Sequence, residues 1–165
     1  MMIQNARYIE DRFSIRSGIN VKDVSQILTY TLEMTLQWNK VLMEKIIRNE
    51  GTDIAIHICP WNEDDLEQYL KLDKQLSRIV LWVNDQMPPI QNTNQNVQIV
   101  HYKPVDYSER FVVATATGLA RAIVSWNQPN KVEGQSFLGV FISNPSIANR
   151  IASRLDQKLE IADSA

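Results

Sequence analysis

The first reactive side chains to consider are His101-Tyr102-Lys103. A histidine two residues before a lysine opens the pattern H-x-K-x4-D, in which the histidine attacks phosphorus, the lysine holds the phosphate and a carboxylate orients both. The fifth position after Lys103 is Ser108, the nearest carboxylate (Asp106) comes two residues early, and Pro104 interrupts the turn. The pattern is broken. His101 reads as a strand-end histidine and Lys103 as a surface cation.

The soft metal ligands by type are His57, Cys59 and His101. His57 and Cys59 stand two apart on an alternating segment and share one face. A zinc site needs three or four ligands, usually at recognisable loop spacing, and that spacing is missing. A half-buried histidine beside a small core thiol explains the pair better. A cysteine nucleophile would need an electropositive, accessible position, whereas Cys59 is soon followed by Glu63, Asp64 and Asp65. With five glycines and no G-x-G-x-x-G, G-x-x-x-x-G-K-[ST] or G-x-S-x-G, no phosphate-cradling loop or nucleophile elbow is legible. No catalytic residue, metal ligand or cofactor is expected.

What remains is aromatic and basic. Trp61, Trp82 and Trp126 fall at or near strand ends, and Arg78 and Arg110 begin strands. The carboxyl ends of strands are where α/β sheets gather ligands, so Trp61, Trp82, Arg110 and Trp126 are the ligand-binding candidates. Core packing is the heavier competing explanation for the tryptophans, and solvation for the arginines.

The elements that would position these residues follow from periodicity. Residues 1–20 read as an N-terminal arm or short helix ending at Ser17-Gly18. The segment from Lys22 to Asn49 contains no Gly or Pro, carries Asp23 in its first turn and meets Gly51 just past its end, so the pattern predicts a long helix. Such a helix would extend about 40 Å. Its apolar residues exceed one stripe, and Tyr30, Met34, Trp38, Val41 and Leu42 are the expected interface to a partner or a second copy.

Ile54, Ile56 and Ile58 alternate along a strand over 53–59. Asn62 then opens a helix reaching Leu76, and the apolar run 78–83 is a strand covered on both faces. Strand, helix, strand is a βαβ unit, so the two strands should be parallel. After a Pro/Asn/Gln loop, short β-branched segments follow at 97–102, 110–115 and 119–126. Thr117-Gly118 forms a hairpin turn between the last two. A strand over 136–142 leads to Asn144 as N-cap, Pro145 at N1 and a closing helix whose tail, 160–165, should fray.

The predicted architecture is therefore an α/β (α+β) domain, single over 1–165. It has a mixed five- to six-stranded sheet, a long N-terminal helix, a βαβ unit and a C-terminal helix.

A formal net charge of −2 with interleaved signs argues against nucleic-acid binding. One cysteine suits a reducing compartment. No apolar leader or run of about 18 apolar residues is seen, so the expectation is a cytoplasmic protein with no membrane span.

Ser108-Glu109-Arg110-Phe111-Val112-Val113, Leu119-Ala120-Arg121-Ala122-Ile123-Val124 and Ser136-Phe137-Leu138-Gly139-Val140-Phe141-Ile142-Ser143-Asn144-Pro145 come in that order before the closing helix. That sequence of segments resembles the DICT sensory domain, which accompanies diguanylate cyclases and two-component regulators and has many cyanobacterial members. The upstream strand-helix-strand and the leading helix are similar to that family's as well. Cys59-Pro60-Trp61 stands where the family's first strand runs into a Phe-Gln type of sequence, and Glu33 would have to serve as the leading helix's acidic residue. The resemblance implies a non-catalytic sensory or regulatory module that signals through a protein partner, and the excess apolar surface of the long helix adds the expectation of a homodimer. The same ending also looks like half of a phospholipase D-like domain without its catalytic residues, which some transcriptional regulators use to bind small molecules. A phosphodiesterase-type enzyme is the rival from another class.

Overall fold

The computed structural model describes residues 6–9, 12–19, 28–31, 37, 39–42, 44, 53–71, 76–87, 97–117, 119–127 and 136–164. Their centre is one mixed sheet. Its strands are β1 (Ala6–Tyr8), β2 (Leu28–Thr31), β3 (Ala55–Cys59), β4 (Arg78–Asn84), β5 (Val97–Tyr102), β6 (Arg110–Ala116), β7 (Leu119–Asn127) and β8 (Ser136–Ile142). α-Helices α1 (Glu63–Leu70) and α2 (Pro145–Ser164) accompany them. The strand order is β1-β5-β4-β3-β6-β7-β8-β2.

The sheet has two halves. β3, β4, β5 and β1 are parallel, as the βαβ unit requires. From β3 onward through β6, β7, β8 and β2 every pairing is antiparallel. Ala116 pairs directly with Leu119, so β6 and β7 form the hairpin expected there. All six strands read from periodicity are present. Among the described residues the sheet nevertheless holds eight, and the two additions are its outer strands.

The long N-terminal helix requires correction. Leu28–Thr31, inside the segment read as helix, is strand β2 and pairs antiparallel with Gly139, Leu138, Phe137 and Ser136 of β8. Helical backbone appears further on, at residues 37, 39–42 and 44. Helix periodicity over 24–32 was a true pattern but a weak one, because an available edge on β8 offers those backbone groups partners that only the fold provides. Tyr30 therefore belongs to a strand rather than to a helical stripe.

The helices end where local chemistry dictates. Asn62 caps α1 by accepting the Asp65 N–H at 2.8 Å, with Glu63, Asp64 and Asp65 in the first turn. α1 stops at Leu70, short of the expected Leu76, and Leu76 packs into the core as a buried residue outside the helix. Asn144 caps α2, its Oδ1 accepting the Ser146 N–H at 3.0 Å. α2 continues through Ser164, into the stretch expected to fray.

Two apolar clusters sandwich the sheet. On one face Val80, Trp82, Val113 and Val124 meet Ile151 and Leu155 of α2. On the other, Ile56, Ile58, Leu81 and Val112 meet Leu66 and Tyr69 of α1 together with Leu42. Alternation along β3 sends Ile56 and Ile58 to the α1 side and His57 and Cys59 to the α2 side. β4 is buried throughout from Ile79 to Asn84, the double coverage its continuous apolar run implied.

Candidate functional site

His57, expected half-buried, is only 4% exposed. The Trp82 indole N–H donates to its Nδ1 at 3.1 Å. That bond fixes the tautomer: Nδ1 is the acceptor, so Nε2 carries the proton and donates it to Asp156 Oδ1 of α2 at 3.1 Å. Arg78 Nη1 donates to the same Oδ1 at 3.0 Å. Burial pushes the His57 pKa below its ordinary value, against the upward pull of Asp156. The geometry agrees, because an imidazolium would set an Nδ1–H against the indole N–H. Burial raises the Asp156 carboxyl, but the His57 and Arg78 contacts outweigh it and hold its pKa below the usual range. The anion that Arg78 meets is thus internal.

Cys59 is a core thiol. Its S–H donates to the Glu109 carbonyl at 3.8 Å and its sulfur accepts from the Tyr102 hydroxyl at 3.4 Å. Burial drives its pKa up to about 11, which leaves little thiolate at neutral pH. Tyr102 is likewise pushed well up by burial.

Glu109, just before β6, was not singled out by sequence pattern, yet it organises the region. It is 1% exposed. Its carboxylate accepts from Ser14 Oγ at 2.6 Å, Ile15 N at 2.6 Å and Arg16 N at 3.3 Å. Burial nevertheless raises its pKa. These bonds pin residues 14–16, and the short 3-10 turn Arg16–Gly18 they lead into, over the ends of the strands. Phe13 bridges to Pro104 and packs edge-on against Trp82. No spacing rule links positions 95 residues apart, so only the fold discloses this strap.

The strap and three of the four ligand candidates meet at one edge, where β3, β4 and β5 end, β6 begins and β7 ends. Arg110 places its guanidinium over the Trp61 ring at 5.6 Å and Arg16 stands over Trp126 at 4.8 Å. Arg110 Nη1 donates to the Tyr107 and Glu109 carbonyls at 2.7 and 2.9 Å, while its Nε is buried without a partner. Asp106 accepts from Ser108 and pairs with Arg16 at 3.6 Å. Trp82 does not join this edge. It is fully buried in mid-sheet, packed by Phe13, Tyr102 and Phe111, so it serves as a core aromatic and as the His57 donor.

The remaining candidates scatter. His101 stacks on the exposed Tyr8 at 4.7 Å, and Lys103 is exposed. Among the described residues no group of three or more His, Cys, Asp or Glu side chains could hold a metal. Of the interface residues, Val41 is 50% exposed and Leu42 is buried at 1% in the α1-side cluster. Leu42 therefore packs within the chain. Met34 and Trp38 lie outside the described residues.

No family model and no curated protein sequence matches this chain. Its fold has a solved counterpart. A polyphosphate kinase from Porphyromonas gingivalis is similar with a TM-score of 0.57 and 14% sequence identity, over 87% of this chain and 25% of that one. This chain thus spans about a quarter of the kinase chain it matches, and at that identity the likeness concerns the fold alone. Among the described residues no helix is long and apolar enough to cross a membrane.

Proposed function

We propose that this chain is a sensory or regulatory binding module that acts without catalysis, in the manner its resemblance to the DICT domain implies. The observation that carries this reading is the fate of the reactive side chains. His57, Cys59, Tyr102 and Glu109 are each held in internal hydrogen bonds, and none is turned toward a shared reacting atom. The strand-end edge keeps two arginine-on-tryptophan pairs instead. Trp126 is buried in the α2-side core, whereas the half-buried Trp61 ring backed by the Arg110 guanidinium suits an anionic or π-rich small molecule. Binding there would be passed to a protein partner in the cytoplasm, with a homodimer through the segment around Val41 as the proposed assembly. Nucleic acid is disfavoured as the partner by the charge balance.

The order β6, β7, β8, α2 supports a degenerate phospholipase D-like ligand-binding domain equally well, and that alternative shares the binding role. The deciding experiment is native mass spectrometry of the purified chain for any co-purified small molecule, followed by calorimetric titration of that molecule. Arg110→Ala and Trp61→Ala should each weaken its binding about tenfold or more, the loss of about 1.4 kcal/mol, without lowering the Tm by more than a few degrees. Turnover of a phosphodiester that disappears in His101→Ala would overturn the reading in favour of a phosphodiesterase-type enzyme.

A further inference from the structure

On the α1 side of the sheet, three buried oxygens have no hydrogen-bond partner: Asn39 Oδ1, Asp65 Oδ1 and the Tyr69 hydroxyl. Their residues are 2%, 2% and 1% exposed, so bulk solvent does not reach them. Asp65 interacts with both of the others. Its Oδ2 accepts the Trp61 N–H at 3.0 Å. Its carboxylate also interacts with the Asn39 side chain, and its charge is felt at Tyr69, one turn further along the same buried face of α1.

Leaving one such oxygen unbonded costs on the order of 1–3 kcal/mol, and folded proteins leave few. The inventory of what is wanted is specific. Asn39 Oδ1 and an ionised Asp65 Oδ1 can only accept, whereas the Tyr69 O–H can donate. With Asp65 ionised, a single group that completes all three brings two protons and one lone pair. Burial raises the Asp65 pKa, and a protonated Asp65 that donated to Asn39 Oδ1 and accepted the Tyr69 O–H would satisfy the three by direct pairing, an arrangement that a crystal structure separates from a bound water.

We propose that an internal water molecule is bound among Asn39, Asp65 and Tyr69, donating to Asn39 Oδ1 and Asp65 Oδ1 and accepting the Tyr69 O–H. Three hydrogen bonds to otherwise unsatisfied groups are the usual complement of a structural water. It ties the helical backbone around residues 39–42 to the first turns of α1. It also stands behind Trp61, whose main chain is held by Asp65 and whose ring carries Arg110. The water would thus brace the back of the strand-end edge.

A crystal structure of the intact chain, at a resolution that orders internal waters, is the direct test. The expected result is one density peak within about 2.7–3.2 Å of all three oxygens. Direct pairing of the oxygens with no peak overturns the proposal. So does a peak at about 2.4 Å from them, the distance of a bound cation. In solution, water relaxation dispersion should count one fewer long-lived internal water in Tyr69→Phe or Asn39→Leu than in the parent chain, and an unchanged count in a folded variant would contradict the site. Should both variants fail to fold, the parent crystal structure alone decides.

Discussion

His57 is a histidine whose environment has chosen its charge. The indole N–H of Trp82 occupies Nδ1, and the site accepts a second proton only by breaking that bond. Because the folded-state pKa is depressed, the unfolded chain binds the proton first as pH falls. The His57 contribution is therefore complete above the unfolded value of about 6.5 and is lost progressively as pH drops toward the folded one. Urea midpoints measured between pH 5 and pH 8 should rise with pH in the parent chain and flatten in His57→Leu. The depressed Asp156 acts in the same sense in a lower window, its contribution fading only as pH falls through the carboxylate range. Trp82→Phe keeps most of the aromatic bulk but removes the donor. It should cost about 2 kcal/mol and raise the His57 pKa in an NMR titration, whereas an unchanged pKa would mean the indole bond does not govern the tautomer. Cys59 offers a simpler check. With its pKa near 11, about a thousandth of it is thiolate at pH 8. Thiol reagents should label it at that pH only after denaturant is added.

Among elements, the strap over residues 13–18 depends on a single carboxylate. Glu109→Ala removes the acceptor for two backbone N–H groups and one hydroxyl. The expected loss is about 2–4 kcal/mol of unfolding free energy, with hydrogen exchange at Ile15 and Arg16 rising more than exchange in β4. Equal acceleration in both would mean that the strap does not open separately. The elements legible in the sequence were those whose cause is local. β3 announced itself by alternation, β4 by an unbroken apolar run, the β6–β7 turn by Thr117-Gly118 and α2 by Asn144-Pro145. β1 and β2 were not legible. Each is three or four residues long and exists as a strand because β5 and β8 present free edges to it. The same division holds for the site. Trp61, Arg110 and Trp126 could be nominated from strand-end positions, but Glu109 reaching Ser14 and His57 reaching Asp156 join residues 95 and 99 apart. Only tertiary packing makes those meetings.

For the whole molecule, assembly is the property that separates the proposed signalling role from an isolated binding domain. Light scattering at micromolar concentration should report a dimer, and Val41→Glu should shift it toward monomer without lowering the Tm, because Val41 is half exposed. A parent chain that is already monomeric removes the homodimer from the proposal and leaves ligand binding untouched.

The placement of β1 and β2 has a further consequence for integrity. The two outermost rows of an eight-stranded sheet, about 34 Å apart at the usual spacing, are both supplied by the first thirty-one residues. A single proteolytic cut near Thr31 would thus strip both flanks at once. It would bare the ladder groups of β5 and β8 together and turn a self-limited sheet into one that can grow by edge-to-edge addition in two directions.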